Sequence, residues 1–385
     1  MNEQLADKPL RQRVIFLCCP WGRAGGGMYK LADYLLQSQS GAGASAYFRA
    51  LDTRGNRSAA ASMLVLLFAI GQLFLAQMRG VVAGVHVNMA ERLSVFRKGG
   101  LMLVARLLCV PVVLHLHAAQ LPAFYFGLPP ALRALVRRIF SLADACIVLG
   151  EVARTFVCQE LGIEAHRVMI IANGVPQPTV ARRMFDPIRP FHFLFLGNLM
   201  ERKGTSDVLH ALASDSLRDA HWIATFAGDF DTRRYHQLAH SLKISEKVEF
   251  LGWIAQQEAN ALLADADALV LPSYAEGLPL VILEAMANGV AVVCTPVGEI
   301  PSNIGADVVA FVAPGDRPGL ASTLRSLMTD NSLRENLEAA GRGLYLERFS
   351  LDAFSRAIAR VHLRYFGVAG LAALERTAGL TQTER

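Results

Sequence analysis

Short apolar runs recur along this chain, each closed by glycine, proline or a small polar residue and followed by a stretch with helical patterning. Val14 to Cys19 (VIFLCC), Val112 to Leu116 (VVLHL), Phe191 to Leu196 (FHFLFL) and Asp267 to Leu271 (DALVL) are the clearest of them. Runs with so little polar alternation belong to strands buried on both faces, the condition of a parallel sheet covered by helices. The alternation therefore predicts an α/β fold. At 385 residues the chain exceeds what one core usually holds, so two domains of typical size are expected. Pro176, Pro178, Pro187 and Pro190, interspersed with Arg182 and Arg183, read as the linker. The predicted division is an N-terminal Rossmann-like domain over 1–180, a C-terminal one over 181–350, and a terminal segment over 351–385.

Charge decides which partners such a chain could have. Charged residues are 18% and apolar ones 53%, a globular composition. Residues 1–180 hold 18 Lys+Arg against 9 Asp+Glu, net +9, and residues 181–385 hold 20 against 24, net −4, which sum to the +5 of the whole. The basic half carries Arg92, Arg97, Lys98 and Arg106, then Arg133, Arg137 and Arg138 in ALRALVRRIF, which reads as a basic amphipathic helix. An anionic membrane surface is the partner this suggests, with solubilising charge as the plainer alternative. Nucleic acid is not expected, because basic residues are not interleaved with aromatic ones. Ala59 to Met78 is uncharged and long enough to span a bilayer, yet Ser62, Gln72 and Gln77 interrupt it, so a helix buried between sheet and surface is expected, with partial insertion into a bilayer as the alternative. The six cysteines show no metal-ligand spacing, and Lys8, Arg11 and Arg13 precede only a short strand, so no signal peptide is expected. The default location is cytoplasmic.

The most informative segment is LPSYAEGLPLVILEAMANGVAVVCTP, Leu271 to Pro296. Pro272 stops a strand, Gly277 allows a close turn, and Pro279 suits the first position of a helix. The free N–H groups and positive dipole end of that helix suit phosphate or sugar hydroxyls. Glu276 lies just before the helix and Glu284 eight residues on, roughly 12 Å along a helix axis. The pair cannot share one proton; carboxylates so placed can accept hydrogen bonds from two ends of one long ligand.

Further strand ends offer other polar groups. Gly25, Gly26 and Gly27 open a helix after the first strand, a turn that lets backbone approach an acceptor or phosphate. His117 follows the Val112 to Leu116 strand, where open α/β sheets place ligands, while His115 lies deeper and reads as structural. Gly197 and Asn198 follow Phe191 to Leu196 and lead to Arg202, Lys203 and Gly204, adjacent cations at a glycine turn suited to a diphosphate. Gly228 repeats the strand-then-glycine design in WIATFAGDF.

These residues resemble the retaining family 4 glycosyltransferases of the GT-B fold, of the bacterial polysaccharide biosynthesis type. The match rests on Glu276-x7-Glu284 within EGLPLVILEAMANGVAVV, and is supported by NGV at Asn173 to Val175, KVEFLGWI at Lys247 to Ile254 and FVAPGD at Phe311 to Asp316. It spans about residues 13–366. The resemblance implies two Rossmann-like domains facing across a cleft, with a C-terminal helix crossing back to the first. It also implies a nucleotide-diphosphate sugar as donor, either UDP- or GDP-linked. By position, Glu276 contacts the donor sugar, Glu284 the ribose, and Lys203 the phosphates, with Gly26, Gly27, Gly197, Gly228, Gly277 and Leu278 lining the donor site. His117 lies near the donor sugar.

The family's usual arginine after the Gly197 position is Asn198 here, so Arg202 is the candidate replacement. Glu299 likewise stands where glycine is frequent. The implied reaction moves a hexose, with retention, to a saccharide acceptor of the lipid-linked class, in exopolysaccharide, capsule or lipopolysaccharide assembly. No metal or other cofactor is expected: the pairs Asp229/Asp231 and Asp265/Asp267 read as solvated acids. The alternatives are a non-catalytic nucleotide-sugar-binding protein or a nucleotide-sugar epimerase. A nicotinamide enzyme is disfavoured because G-x-G-x-x-G spacing is absent.

Overall fold

The computed structural model describes residues 13–21, 26–38, 46–55, 59–229 and 232–368. The chain divides into two units, one of residues 1–171 with 352–385 and one of residues 172–351. The proline-punctuated stretch from Pro176 to Pro190 thus lies inside the second unit.

In the first unit the strands are β1 (Arg13–Cys19), β2 (Ala46–Asp52), β3 (Val82–Met89), β4 (Val112–Leu116), β5 (Ala145–Val148) and β6 (Val168–Ile170). They pair in parallel in the order β2-β1-β3-β4-β5-β6. Each crossover carries helix: Gly26–Ser38, Ala59–Met78, Leu93–Leu107, Leu121–Phe126 with Pro130–Ser141, and Glu151–Gln159. β3 and β4 are buried at every position, which is why their sequences lack alternation. The order reverses between β1 and β3, so the connections leave in opposite directions there and a crevice opens at the strand ends.

The Ala59–Met78 helix has the bounds the sequence suggests but not the burial. Leu66, Ala69, Leu73 and Ala76 pack inward, whereas Leu64, Phe68 and Met78 are 69%, 70% and 68% exposed. One face is enough to cover the sheet, and the other is left apolar and solvated. Among the described residues no helix is long and apolar enough to cross a membrane.

The last helix, Leu351–Phe366, contributes to the first unit from Asp352 onward. His362 Nε2 lies 2.8 Å from His86 Nδ1 in β3. Phe366 covers Gly84, where any Cβ would overlap the ring, so glycine is required in the middle of β3.

The second unit contains β7 (Phe191–Leu196), β8 (Trp222–Ala227), β9 (Val248–Gly252), β10 (Ala268–Leu271), β11 (Ala291–Cys294) and β12 (Ala310–Phe311). These are parallel in the order β12-β11-β10-β7-β8-β9. The reversal falls between β7 and β10, the doubly wound arrangement of dinucleotide-binding folds. At the unit's margins Val175 bridges Ser350, and Leu351 N donates to Val175 O at 2.8 Å. All described cysteines are free thiols.

Candidate active site

The loops after β7 and β10 meet at the reversal point of the second sheet, and glycines set how closely. A Cβ on Gly204, which sits at φ +74°, would overlap the Pro272 carbonyl. At Gly228 a Cβ would overlap the carbonyl of Gly197, so these two strand-end glycines lie backbone against backbone. Gly197 N in turn donates to Ala227 O at 3.0 Å.

The short 3-10 turn Glu201–Lys203 follows, and it aims its cations at the β10 loop. Lys203 Nζ lies 2.5 Å from Glu276 Oε1, and Ser273 Oγ donates to the same oxygen at 2.7 Å. Thr295 Oγ1, just after β11, donates to Ser273 O at 2.5 Å. Arg202 is anchored from both ends: its NH1 donates to Ala275 O at 2.5 Å, and its carbonyl accepts from Tyr274 N at 2.8 Å. The arginine expected to supply phosphate charge therefore spends one donor on the loop that holds Glu276. Asn198 is exposed at the end of β7.

Glu276 is only 7% exposed, so its ion pair with Lys203 is a buried one. Gly298, at φ +61°, fixes the other side of this loop, since a Cβ there would overlap Glu276 O. Glu299 N donates to Gly277 O at 3.1 Å and is tied into the same turn. The sequence places Pro279 as the first helical residue; the structure makes it the N-cap of Leu280–Asn288, with ψ 129° and no side chain capping the helix. An uncapped N-terminus leaves N–H groups beside Gly277 and Leu278 for a ligand. Leu278 O accepts from Asn173 Nδ2 at 2.7 Å, which gives the Asn-Gly turn at Asn173 a second role. Glu284, on the same helix, is also only 7% exposed, a second buried carboxylate one helix turn inward.

A second network flanks the first and was not legible beforehand. Asp207, on Thr205–Leu212, accepts from Tyr274 OH at 2.8 Å and Arg317 Nε at 2.7 Å. The hydrogen bond to Asp207 raises the Tyr274 phenol pKa. Asp207 and Arg317 are 110 residues apart, and nothing local marks either. Ser273 and Tyr274, by contrast, directly follow Pro272 in the segment already singled out.

One acidic pair needs correction. Asp265 and Asp267 were expected to be solvated acids, but Asp267 is 1% exposed and pairs with Arg189 at 2.7 Å, and Asp265 pairs with Arg183 at 2.6 Å. The linker arginines fold over this strand end and bury Asp267, leaving the Asp265 side chain 49% exposed, and burial raises the Asp267 pKa despite them. Asp229 is exposed; its sequence partner Asp231 lies outside the described residues, as does Gly25. Among the described residues no group of three or more histidines, cysteines or acids could hold a metal ion.

In the first unit, Gly26 (φ +52°) and Gly27 open the first helix and are exposed. His117 does stand at the end of β4, its N–H bonded to Met89 O at 2.8 Å. Its Nε2 lies 2.9 Å from Asn88 Oδ1. With that oxygen accepting, Nε2 carries the hydrogen and Nδ1 presents a lone pair. Burial, reinforced by His86 and Lys98, pushes the His117 pKa down to about 3, so the ring is neutral at ordinary pH. His115 is fully buried, with its Nδ1 3.2 Å from His86 Nε2.

Lys98 overturns its sequence reading. Counted among the basic surface residues, it is instead 0% exposed, donating to Asn88 O and contacting Met28 Sδ at 3.7 Å. Burial lowers its pKa to about 7. Two arginines of the basic helix Pro130–Ser141 are also partly committed to backbone: Arg133 Nε donates to Leu128 O and Arg137 Nε to Glu160 O, each at 2.8 Å.

Paired parallel sheets with this strand-end chemistry define the GT-B class of glycosyltransferase. The family model described as glycosyl transferases group 1 matches residues 186–344, and that of glycosyltransferase family 4 matches residues 94–177. The chain belongs to this group 1, family 4 type of glycosyltransferase. It is 28% identical over 271 residues to a glycogen synthase of Mycobacterium tuberculosis, covering 66% of this chain and 63% of that protein. It is 34% identical over 166 residues to the lipopolysaccharide core biosynthesis glycosyltransferase LpsE of Rhizobium meliloti, covering 42% and 46%. The matched stretch thus spans under two thirds of these relatives' length. The structure of Anabaena HepE, described in complex with UDP and glucose, superposes with a TM-score of 0.72 at 19% identity, covering 91% of this chain and 99% of HepE.

Proposed function

We propose that the protein is a retaining glycosyltransferase moving a hexose from a UDP- or GDP-sugar to a saccharide acceptor carried on a lipid, in assembly of exopolysaccharide, capsule or lipopolysaccharide. The observation that carries this is the pair of buried carboxylates, Glu276 and Glu284, at one uncapped helix N-terminus, the first of them bonded to Lys203. The bonds from Lys203 and Ser273 to Glu276 both fall on Oε1, which leaves Oε2 to accept from a sugar hydroxyl. Lys203 has three N–H donors and gives one to Glu276, so the others suit a diphosphate. Bond breaking loads negative charge onto that diphosphate. Lys203, Arg202 and the helix N-terminus lower the barrier there, each such contact typically worth about 2.7–4 kcal/mol. Glu284 takes the ribose. Side-chain cations do this work without a metal or other cofactor.

His117, neutral with a lone pair on Nδ1, gives the first unit a hydrogen-bond acceptor suited to a sugar hydroxyl. The UDP and glucose described with HepE and the lipopolysaccharide role in LpsE's name support the donor and acceptor classes. The basic first half supports working at an anionic membrane surface, on the inner face of the cytoplasmic membrane. The test is a thermal-shift panel of UDP- and GDP-sugars. One nucleotide class should stabilise the protein by about 2.7 kcal/mol at a hundredfold excess over the dissociation constant. Incubation with donor alone separates an epimerase, which would alter the sugar without an acceptor. No stabilisation by either nucleotide class refutes the proposal.

A further inference from the structure

We infer that the outward face of the Ala59–Met78 helix inserts into the surface layer of an anionic membrane, with the helix axis along the bilayer plane. This deepens the membrane reading above and rests on it, while moving the contact from the Pro130–Ser141 helix to a different element.

The helix is apolar all round, and the fold uses only one side. Leu66, Ala69, Leu73 and Ala76 are buried against the unit's core. On the opposite side Leu64, Leu67, Phe68, Phe74, Leu75 and Met78 are each 47% exposed or more, at the three- and four-residue spacing of one helical stripe. The stripe continues onto the neighbouring Leu93–Leu107 helix through Leu103 and Leu107, the latter 75% exposed. Gln77 Nε2 donates to Leu108 O at 3.1 Å and holds the two helix ends together. A contiguous apolar patch of this kind marks a surface made to be covered.

Charge identifies what covers it. No charged residue occurs from Ala59 to Met78, and arginine stands at both ends. Exposed Arg79 follows the helix, and exposed Arg106 lies beside Leu107, where it also pairs with Asp144 at 2.6 Å. At the other end exposed Arg54 adjoins Gly55, whose Cβ position lies 3.1 Å from Val65 Cγ2 of the helix. An uncharged stripe between cationic ends matches acyl chains below anionic headgroups, with the arginine stems reaching up to the phosphates. The net +9 of residues 1–180 adds long-range attraction of the same sign.

The test is flotation with vesicles of phosphatidylcholine alone and with phosphatidylglycerol added. Wild-type protein should bind the anionic vesicles, and Leu64→Gln/Phe68→Gln/Leu75→Gln should weaken that binding at least about tenfold. The single variant Phe68→Trp keeps the core intact. Its emission, after subtraction of the three native tryptophans, should shift to the blue and be quenched by acyl-brominated lipid. Unchanged binding by the triple variant, or an unquenched Trp at position 68, overturns the inference. So does a wild-type dimer in sedimentation that the triple variant disperses. If Arg133→Gln/Arg137→Gln/Arg138→Gln abolishes binding and the triple apolar variant does not, the membrane reading stands and this inference falls. Failure of the wild type to bind any vesicle removes both, while the nucleotide-sugar thermal shift, measured without lipid, stays as it was.

Discussion

The two units share a parallel six-stranded scaffold, yet they put opposite chemistry at its strand ends. In the second, the β7 and β10 loops interlock through charge: Lys203 on Glu276, Arg202 on a backbone carbonyl, and Arg317 on Asp207. In the first, the ends of β3 and β4 carry weaker charge. His117 is uncharged beside Asn88, and Lys98 is so deeply buried that its ammonium is only marginally held. The difference teaches that the scaffold supplies a location and the loop residues supply the function. A site rich in fixed charge suits a diphosphate leaving group, and a neutral one suits hydroxyl groups.

The sharpest challenge to this contrast is Lys203→Ala. It removes the proposed phosphate contact and also leaves the buried Glu276 carboxylate without its ion-pair partner. We expect kcat to fall about 10²–10³-fold, and stability to drop by about 3 kcal/mol in urea unfolding. Glu276→Gln/Lys203→Met removes both charges and should recover much of the stability without recovering turnover. A double variant as unstable as Lys203→Ala would show that the pair is not what orders the loop.

Glu284→Ala comes next. Loss of the nucleotide-sugar thermal shift, about 2.7 kcal/mol at hundredfold excess, with unchanged melting of the free protein, would place the ribose. A retained shift would exclude it.

Lys98 sharpens the comparison from the first unit. Its folded pKa, about 7, lies below the unfolded value near 10.5, so above pH 7 the unfolded chain binds more protons than the folded one. Its contribution to stability therefore rises with pH across that window, by up to about 1.4 kcal/mol per pH unit. The urea midpoint should climb from about pH 7 to pH 9, and Lys98→Met should flatten the climb. An unaltered slope in the variant would assign the effect elsewhere.

The smallest effect is expected of Arg317→Ala. Its partner Asp207 is buried but Arg317 is about half exposed, and Tyr274 still satisfies the other carboxylate oxygen. A loss of about 1 kcal/mol or less should appear in urea unfolding, and a much larger one would make Arg317 a true part of the charged cluster.

How much of this was legible depended on whether the signal was local. The β4 and β7 strands run over the residues the sequence proposed, because a strand buried on both faces announces itself in five or six consecutive apolar residues. The Glu276 segment was readable for a similar reason: strand, turn and helix start lie within a dozen residues. Pro279 slipped by one position because proline suits the N-cap boundary as well as the first turn. Lys98 was misread because helical periodicity around it is imperfect, and only its packing against Asn88 and Met28 shows which way it faces. The Ala59–Met78 helix was correctly bounded and wrongly buried, since an apolar sequence cannot say how many of its faces the sheet will cover.

Sequence by itself determined the parallel α/β character, the two-domain scale and the segment that carries the paired carboxylates, all of which are written in residues near one another. Tertiary structure alone decided that Lys203 meets Glu276 across 73 residues, that Arg317 meets Asp207 across 110, and that Lys98 is inside while Phe68 is outside. The physical reason is the doubly wound topology. It brings the ends of non-consecutive strands together, and contacts made there depend on loop closure and burial, which no local pattern encodes.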